Sequence, residues 1–148
     1  GNTMCVIRVT GQQVLDALEW GARAVPSENG GFLQVSGLTY EIHTGVASSA
    51  EKDENGMFTR VSGEYRVKNV MVGGQPLELD RTYTLASHNY MLLGHGDGYT
   101  MFDGCEVLGE DMMVDNQVLI TYITTTLGGV VGEQYANPYG DGRIVAVE

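Results

Sequence analysis

The sequence contains few of the patterns that carry self-contained chemistry. It has only two cysteines, Cys5 and Cys105, and they lie too far apart in the chain to suggest paired metal ligands. It also lacks a His-x-x-x-His, Cys-x-x-Cys or Gly-x-Ser-x-Gly motif and a Gly-Lys-Ser/Thr phosphate loop. We therefore expect no catalytic residue and no metal site within this chain. The cysteines either pair or serve as small buried hydrophobes, and we favour buried thiols.

Basic residues and long apolar runs are also scarce. There are 8 Lys and Arg against 19 Asp and Glu, which gives a formal net charge of -11. Such a field repels nucleic-acid backbones and anionic lipid, so we expect no nucleic-acid polymer as a partner. No apolar run reaches the length of a membrane span, and no signal peptide is present. Because the chain enters a strand-like run directly after Gly1 and Asn2, we expect it to be part of a longer polypeptide.

The pattern of apolar residues predicts one α+β layered domain over residues 1–148. Residues 4–9 read as a strand, and Thr10 with Gln13 forms a capping box for an amphipathic helix that reaches Val25. Trp20 is assigned to the buried face of this helix or to its border. Further strands are predicted at residues 32–35, 38–42, 65–72, 75–79, 82–87 and 143–147.

The remaining segments are predicted to be one helix, one turn and two less regular stretches. The second helix begins with Asp115 or Asn116 as its cap and weakens at the threonines of residues 124–126. Gly73 and Gly74 signal a hairpin turn. Residues 45–63 are predicted to be an exposed loop or hairpin tip, and residues 104–113 to be irregular.

The most informative stretch is a glycine-rich loop after the strand at residues 82–87. Glycines at every second position allow positive φ angles and close approach of other groups, and Asp97 lies among them. Asn89, Tyr90 and Met91 come shortly before. An aromatic ring, an amide and a fixed carboxylate suit a planar, hydroxyl-bearing ligand such as a nucleoside. The alternative is a tight turn in which Asp97 caps its own backbone. The loop glycines are Gly94, Gly96 and Gly98.

Two histidines flank this loop, but neither completes a catalytic or metal site by itself. His95 and Asp97 form a His-x-Asp pair, and two ligands from one loop are too few for a zinc site. A general-base pairing of His88 with Asp97 is possible, but it lacks a nucleophile.

Several short motifs, taken in order, resemble the carboxy-terminal domain of bacterial and animal 5'-nucleotidases, a family that includes periplasmic UDP-sugar hydrolase and ecto-5'-nucleotidase. The set spans nearly the whole chain, although no single motif is decisive. The matching pieces are Gly1-Asn2, Val9–Gly11, Leu15–Glu19, Gly31–Gly37, Val72–Leu77, Asp80–Thr84, Asn89-Tyr90, Gly96–Tyr99 and Gly142–Ile144.

The resemblance implies a layered α/β/β/α domain that works with an N-terminal metallophosphoesterase domain of the same chain. That domain would hold two divalent metal ions and the catalytic residues, and it is absent from this sequence. This domain would bind a nucleoside or nucleotide and would need no cofactor of its own. The resemblance also implies an extracytoplasmic location: periplasmic, cell-surface or secreted.

Residue by residue, the resemblance assigns the ligand contacts to the glycine-rich loop and the start of the chain. Tyr90, after Asn89, matches a ring that stacks on the base, while Asp97, beside Gly96, matches an acceptor of ribose hydrogen bonds. Asn2 matches a residue that can contact the base. The spacing from ring to carboxylate is one residue longer than in the family, so Met91 is the alternative to Tyr90. The other departure is His95, which replaces the first glycine of a Gly-Gly-Asp-Gly motif.

These expectations give one main functional hypothesis and two alternatives. The main one is the substrate-recognition domain of a secreted 5'-nucleotidase, active only as part of the full-length protein. The first alternative is the substrate domain of a 2',3'-cyclic phosphodiesterase or UDP-sugar hydrolase. The second is a non-catalytic binding module with the same fold.

Overall fold

The computed structural model describes residues 1–148 and contains nine strands and three α-helices. The strands are β1 (Met4–Thr10), β2 (Leu38–His43), β3 (Ala50–Lys52), β4 (Phe58–Val61), β5 (Val67–Val72), β6 (Gln75–Pro76), β7 (Thr82–His88), β8 (Glu106–Gly109) and β9 (Ile144–Val147). The helices are α1 (Gly11–Ala22), α2 (Asn89–Leu92) and α3 (Asp115–Thr121). The α+β class predicted from the sequence is confirmed.

The strands form two larger sheets and one hairpin. The first sheet has the order β7-β1-β8, and both neighbours run antiparallel to β1. Cys5, Ile7 and Val9 are buried because alternate residues of β1 face the same side. The second sheet has the order β6-β5-β2-β9, in which β9 runs parallel to β2. No helix combines the length and apolar character needed to cross a membrane.

Helix α1 starts at the capping box that the sequence predicts. The Thr10 hydroxyl accepts a hydrogen bond from the Gln13 main-chain N–H at 3.2 Å, and the Gln13 side chain accepts one from the Thr10 N–H at 2.8 Å. These two bonds satisfy N–H groups that the first helical turn leaves free. The helix ends at Ala22, earlier than the predicted Val25. Its apolar face packs into the core, which contains Val14, Ala17, Leu18 and Trp20.

A buried carboxylate connects α1 to the second sheet. Glu19 accepts hydrogen bonds from the main-chain N–H groups of Arg66 at 3.2 Å and Val67 at 2.9 Å. The Arg66 guanidinium in turn donates to the main-chain oxygens of Ala22 and Val25. Burial raises the pKa of the Glu19 carboxyl, although both main-chain donors favour its charged form. Glu19 and Arg66 therefore fix the end of α1 against the start of β5.

The structure corrects two sequence-based assignments of strands. Residues 32–35, predicted to form a strand, pair with no neighbour; the Phe32 N–H closes a turn onto Asn29, and the Val35 oxygen accepts from the Arg143 side chain. Residues 106–109, predicted to be irregular, form the edge strand β8. Its three side chains, those of Glu106, Val107 and Leu108, are all exposed, so it shows no apolar alternation in the sequence.

The segment predicted as an exposed loop or hairpin tip at residues 45–63 is the β3–β4 hairpin. One of its residues belongs to the core: Phe58 is buried and packs edge-on against Trp20, with ring centroids 5.7 Å apart. Both cysteines carry free thiols, and Cys5 is buried while Cys105 is half-buried.

Helix α3 differs from its prediction at both ends. Its cap residue is Val114, so neither Asp115 nor Asn116 provides a side-chain cap. From Tyr122 the chain follows a π-helical turn through Thr126, and the hydroxyls of Thr124 and Thr125 donate to main-chain oxygens one turn earlier. Such back-bonding by threonine competes with regular helix geometry. None of the α3 residues is buried.

Candidate functional site

The candidate site is built on the single turn of α2 and the loop that follows it. The His88 side chain caps α2, since its Nδ1 accepts a hydrogen bond from the Met91 main-chain N–H at 3.3 Å. This bond requires Nδ1 to be unprotonated. His88 therefore stabilises the turn that carries Tyr90. The general-base pairing of His88 with Asp97 is not formed.

Of the three loop glycines, only Gly98 has the positive φ angle that the glycine pattern suggests. The positive φ angles are at His95 (53°), Asp97 (55°) and Gly98 (85°), whereas Gly94 and Gly96 have none. Histidine and aspartate are among the non-glycine residues that tolerate this left-handed region. Gly94 and Gly96 are required for space instead. A Cβ at Gly94 would lie 2.9 Å from the Tyr90 main-chain oxygen, and one at Gly96 would lie 2.2 Å from Tyr90 Cε1.

Tyr90 and Asp97 meet at the surface of this loop. The Tyr90 ring covers Gly96, yet 48% of the residue remains exposed. Its hydroxyl donates to Asp97 Oδ1 at 3.4 Å, the one hydrogen bond that the Asp97 side chain accepts. Asp97 is exposed. The structure therefore brings together an exposed aromatic ring and an exposed carboxylate, two groups that a nucleoside can use.

The other candidate contacts lie in different environments. Met91 is only 8% exposed and belongs to the hydrophobic core. The Asn89 side-chain oxygen accepts a hydrogen bond from the Thr3 N–H at 3.1 Å, so it holds the start of the chain. Asn2 is half-buried beside Thr3, and its main-chain oxygen accepts from the Asp115 N–H. Of the two candidates for contact with the base, the exposed Tyr90 has the more accessible surface.

The main chain at Asp97 is anchored by Trp20, which the sequence assigned to the buried face of α1 or to its border. The Trp20 indole Nε1–H donates to the Asp97 main-chain oxygen at 2.8 Å, and Trp20 is 1% exposed. The Arg23 guanidinium lies over the indole, 3.7 Å from the ring centroid. Partial burial lowers the pKa of Arg23. Helical spacing placed Trp20 on the buried side of α1, but nothing in the sequence revealed which main-chain group its N–H would find.

A second contact of the loop explains one glycine of the 31–37 segment. A Cβ at Gly31 would lie 3.1 Å from the Asp97 Cβ, so the two chains approach closely there. The Gly31 main-chain oxygen accepts a hydrogen bond from the Tyr99 hydroxyl. Burial raises the pKa of Tyr99, which keeps its hydroxyl protonated as a donor. The loop and the 31–37 segment therefore form one packed unit around Asp97.

The side chains of this chain do not make a metal site. His95 points to Asp103, with 3.7 Å between Nε2 and Oδ1, and not to Asp97. No group of three His, Cys, Asp or Glu side chains comes together anywhere in the chain. The resemblance assigns the two divalent metal ions to an N-terminal domain, and the residues of this chain form no cluster that would hold one.

Comparisons with known proteins agree on one family. A family model described as "5'-nucleotidase, C-terminal domain" matches residues 1–104. The chain is 31% identical over 147 residues to the trifunctional nucleotide phosphoesterase protein YfkN of Bacillus subtilis (strain 168), covering 99% of this chain and 9% of that protein. It is 28% identical over 122 residues to a 5'-nucleotidase of Vibrio vulnificus (strain CMCP6), covering 82% of this chain and 18% of that protein.

Comparison with solved structures gives a protein of the same kind. The crystal structure of a 5'-nucleotidase precursor from Thermus thermophilus matches with a TM-score of 0.76 and 28% sequence identity, covering 99% of this chain and 25% of that one. This chain therefore spans a quarter or less of the length of these three proteins.

Proposed function

The chain belongs to the 5'-nucleotidase C-terminal domain family, and from that premise we propose that it is the nucleoside- or nucleotide-binding domain of a metal-dependent 5'-nucleotidase. In this proposal the full-length protein hydrolyses nucleoside 5'-phosphates outside the cytoplasm. The names of the Vibrio vulnificus and Thermus thermophilus relatives support the activity. The word "precursor" in the second name supports the location.

The observation that carries the proposal is the exposed Asp97 carboxylate beside the exposed Tyr90 ring. An ionised carboxylate only accepts hydrogen bonds, and its two oxygens suit two neighbouring hydroxyl groups. Those hydroxyls would be O2' and O3' of a ribose. Hydrogen bonds to a charged group contribute about 1.5–3 kcal/mol. Asp97 would then select ligands that carry a ribose and discriminate against deoxyribose.

Tyr90 supplies the flat surface for the base. Stacking of a nucleobase on an aromatic side chain contributes about 1–3 kcal/mol and tolerates all four bases. Part of the Tyr90 ring packs against Gly96, and the rest of the ring is accessible to a ligand. Because Met91 lies in the core, the stacking role falls to Tyr90. Asn2, at the start of the chain, is proposed to contact the edge of the base, and Asn89 to support this contact by binding the Thr3 N–H.

Catalysis is assigned to a different domain. We place no catalytic residue in this chain, and the two divalent metal ions belong to an N-terminal catalytic domain of the same protein. Their chemistry when bound is the activation of water for attack on a phosphate. This chain's contribution is to bind and orient the nucleoside, which raises the effective concentration of the phosphate at that domain.

A second candidate function is favoured by the name of one relative. The Bacillus subtilis protein is called a trifunctional nucleotide phosphoesterase, and by analogy this chain would serve an enzyme that accepts several phosphoesters. A 2',3'-cyclic phosphodiesterase would use the same ring but would present no free O2' and O3' hydroxyls to Asp97. A UDP-sugar hydrolase would keep both contacts. A non-catalytic module would need neither.

One panel of reactions separates these possibilities. The full-length protein, purified with divalent metal, is assayed with adenosine 5'-monophosphate, UDP-glucose and 2',3'-cyclic adenosine monophosphate. We expect the 5'-monophosphate to have the highest kcat/KM and the isolated 148-residue chain to have no activity. Activity of the isolated chain that disappears in Asp97→Ala would contradict the division of labour. A full-length protein that hydrolyses none of the three would support a binding module.

A further inference from the structure

Trp20 contacts two neighbouring residues of the glycine-rich loop, Asp97 and Gly98. Its indole Nε1–H donates to the Asp97 main-chain oxygen at 2.8 Å. Its Cζ2 lies so close to Gly98 that a Cβ there would be 2.9 Å away. Trp20 is the one tryptophan of the chain and is almost fully buried. The contact therefore joins the last turn of α1 to the residue that we assign to the ribose.

The Trp20 ring is itself held from two directions. The Arg23 guanidinium lies 3.7 Å from the ring centroid and donates to the Trp20 main-chain oxygen at 2.6 Å. Phe58 meets the ring edge-on at 5.7 Å. Arg23 takes part in none of the ion pairs of the structure, although acidic residues outnumber basic ones. It holds Trp20 through the ring face and the main-chain oxygen, and the charges of Tyr99 and Asp97 lie near enough to act on it.

The Asp97 backbone adopts a conformation that aspartate tolerates but that few L-residues adopt, so its neighbours matter for keeping it there. Its φ of 55° and ψ of 18° lie in the left-handed region. Local hydrogen bonds close the loop around it, from the Gly98 N–H to the His95 oxygen at 3.0 Å and from the Tyr99 N–H to the Gly96 oxygen at 3.4 Å. Neither bond involves the Asp97 peptide oxygen. The Trp20 N–H is the donor that fixes this oxygen, and hence the direction in which the carboxylate leaves the chain.

We propose that Trp20 is a positioning residue for ligand binding, whose indole N–H holds Asp97 in the conformation that presents its carboxylate to the ribose hydroxyls. This inference rests on the proposed function. Positioning differs from packing because the effect on ligand binding is assigned to one hydrogen bond, from the Trp20 indole N–H to the Asp97 oxygen. A substitution can remove this bond while keeping most of the volume of the ring.

The main test is Trp20→Phe in the full-length protein, assayed with adenosine 5'-monophosphate. Phenylalanine keeps an aromatic ring but has no N–H donor. Loss of one hydrogen bond predicts a rise in KM of about fivefold to tenfold, with kcat changed by less than about twofold. Ile42→Ala is the control, because Ile42 is a buried residue of the second sheet and makes none of the hydrogen bonds that hold the loop. It lowers stability but is expected to leave KM unchanged.

A double-mutant cycle distinguishes positioning from general destabilisation. In an Asp97→Ala background there is no carboxylate to position, so Trp20→Phe should raise KM no further. If the two changes raise KM by independent factors, Trp20 acts through the fold and the inference is wrong. If Asp97→Ala alone leaves KM unchanged, the proposed function fails as well. If Asp97→Ala raises KM and Trp20→Phe does not, only the inference fails.

A measurement on the unmodified chain covers the case in which Trp20→Phe does not fold. Because there is one tryptophan, the nitrogen-15 spectrum contains one indole N–H signal. We expect this signal to exchange slowly with solvent and to shift when adenosine is added, with no such shift in Asp97→Ala. A fast-exchanging indole N–H, or one that adenosine leaves unmoved while the Gly96 and Gly98 amide signals shift, would overturn the inference.

Discussion

The Tyr90 hydroxyl lies 3.4 Å from Asp97 Oδ1 and donates to it. The proposed stacking ring therefore contacts the proposed ribose acceptor. The hydroxyl occupies a position at the carboxylate that a sugar hydroxyl would use. At 3.4 Å this hydrogen bond is long and correspondingly weak. Ligand binding would exchange it for a shorter bond from the ribose.

This relationship predicts opposite effects for two changes at Tyr90. Tyr90→Phe keeps the ring and removes the competing hydroxyl, so we expect KM for adenosine 5'-monophosphate to stay constant or fall by up to about threefold. Tyr90→Ala removes the stacking surface, and loss of about 1–3 kcal/mol raises KM by about fivefold or more. Steady-state kinetics of the full-length protein measure both.

Leu93→Ala is a suitable control for these changes, because Leu93 lies directly after the same helical turn and is partly buried. We expect it to lower stability without a specific effect on KM. If Tyr90→Phe weakens binding as strongly as Tyr90→Ala does, the hydroxyl and not the ring makes the contact, and the stacking role is wrong.

Asp97→Asn tests the charge of the ribose acceptor at constant shape. Asparagine also tolerates a left-handed backbone, so the loop should keep its conformation. Replacing a charged acceptor by a neutral amide should weaken binding of adenosine 5'-monophosphate by about tenfold. The 2'-deoxy substrate should lose much less, since it lacks one of the two donors. Equal losses for both substrates would show that Asp97 does not contact the ribose.

Gly96→Ala should displace the Tyr90 ring while leaving the domain folded. The new methyl group would lie 2.2 Å from Tyr90 Cε1, and the ring can escape only by turning toward solvent. We expect weaker nucleotide binding and a loss of stability below about 2 kcal/mol, because a surface side chain moves and the core does not. Gly45→Ala is the control, since its Cβ would meet no atom within 4 Å. Unchanged affinity in Gly96→Ala would contradict the position assigned to the ring.

Glu19→Gln tests the buried link between α1 and β5. The amide keeps one acceptor oxygen, so one of the main-chain donors at Arg66 and Val67 loses its partner. We expect the free energy of unfolding, measured by urea denaturation at acidic pH, to fall by about 1–3 kcal/mol. Because burial raises the pKa of Glu19 in the folded state, its contribution to stability is fully present below the unfolded pKa and is lost as pH rises through the folded pKa. The difference between wild type and variant should therefore shrink toward neutral pH. A difference that grows with pH would be inconsistent with a raised pKa.

Local signals in the sequence were enough to predict much of the first sheet and α1. Thr10 and Gln13 lie at the capping-box spacing, and the alternation of Cys5, Ile7 and Val9 fixes the buried face of β1. Both signals depend on residues that are close in the chain. They needed no knowledge of distant partners.

The errors occurred where distant contacts determine the conformation. Residues 32–35 have the composition of a strand, but the Val35 main-chain oxygen accepts a hydrogen bond from the Arg143 side chain and not from a neighbouring strand. Strand β8 has almost no buried side chains and exists because β1 offers it a free edge. Phe58 reaches the core only because the β3–β4 hairpin folds back onto Trp20.

The sequence could propose residues for the candidate site but not their geometry. Asp97 and Tyr90 were found from composition and resemblance, and the structure places both at the surface in contact. The glycine pattern suggested positive φ at Gly94 and Gly96, but that conformation occurs at His95 and Asp97. The reason is the Tyr90 ring and main chain, which require glycine for space and not for its backbone angles.

The most direct test of the account is a nitrogen-15 NMR titration of the 148-residue chain with adenosine and, in parallel, 2'-deoxyadenosine. Weak binding is measurable in this way at millimolar ligand. We expect the largest shifts at the amides of Tyr90, Gly96, Asp97 and Gly98, and smaller shifts with the deoxynucleoside. Shifts that are absent from these amides, or that cluster on another face of the chain, would contradict the claim that Tyr90 and Asp97 bind the nucleoside.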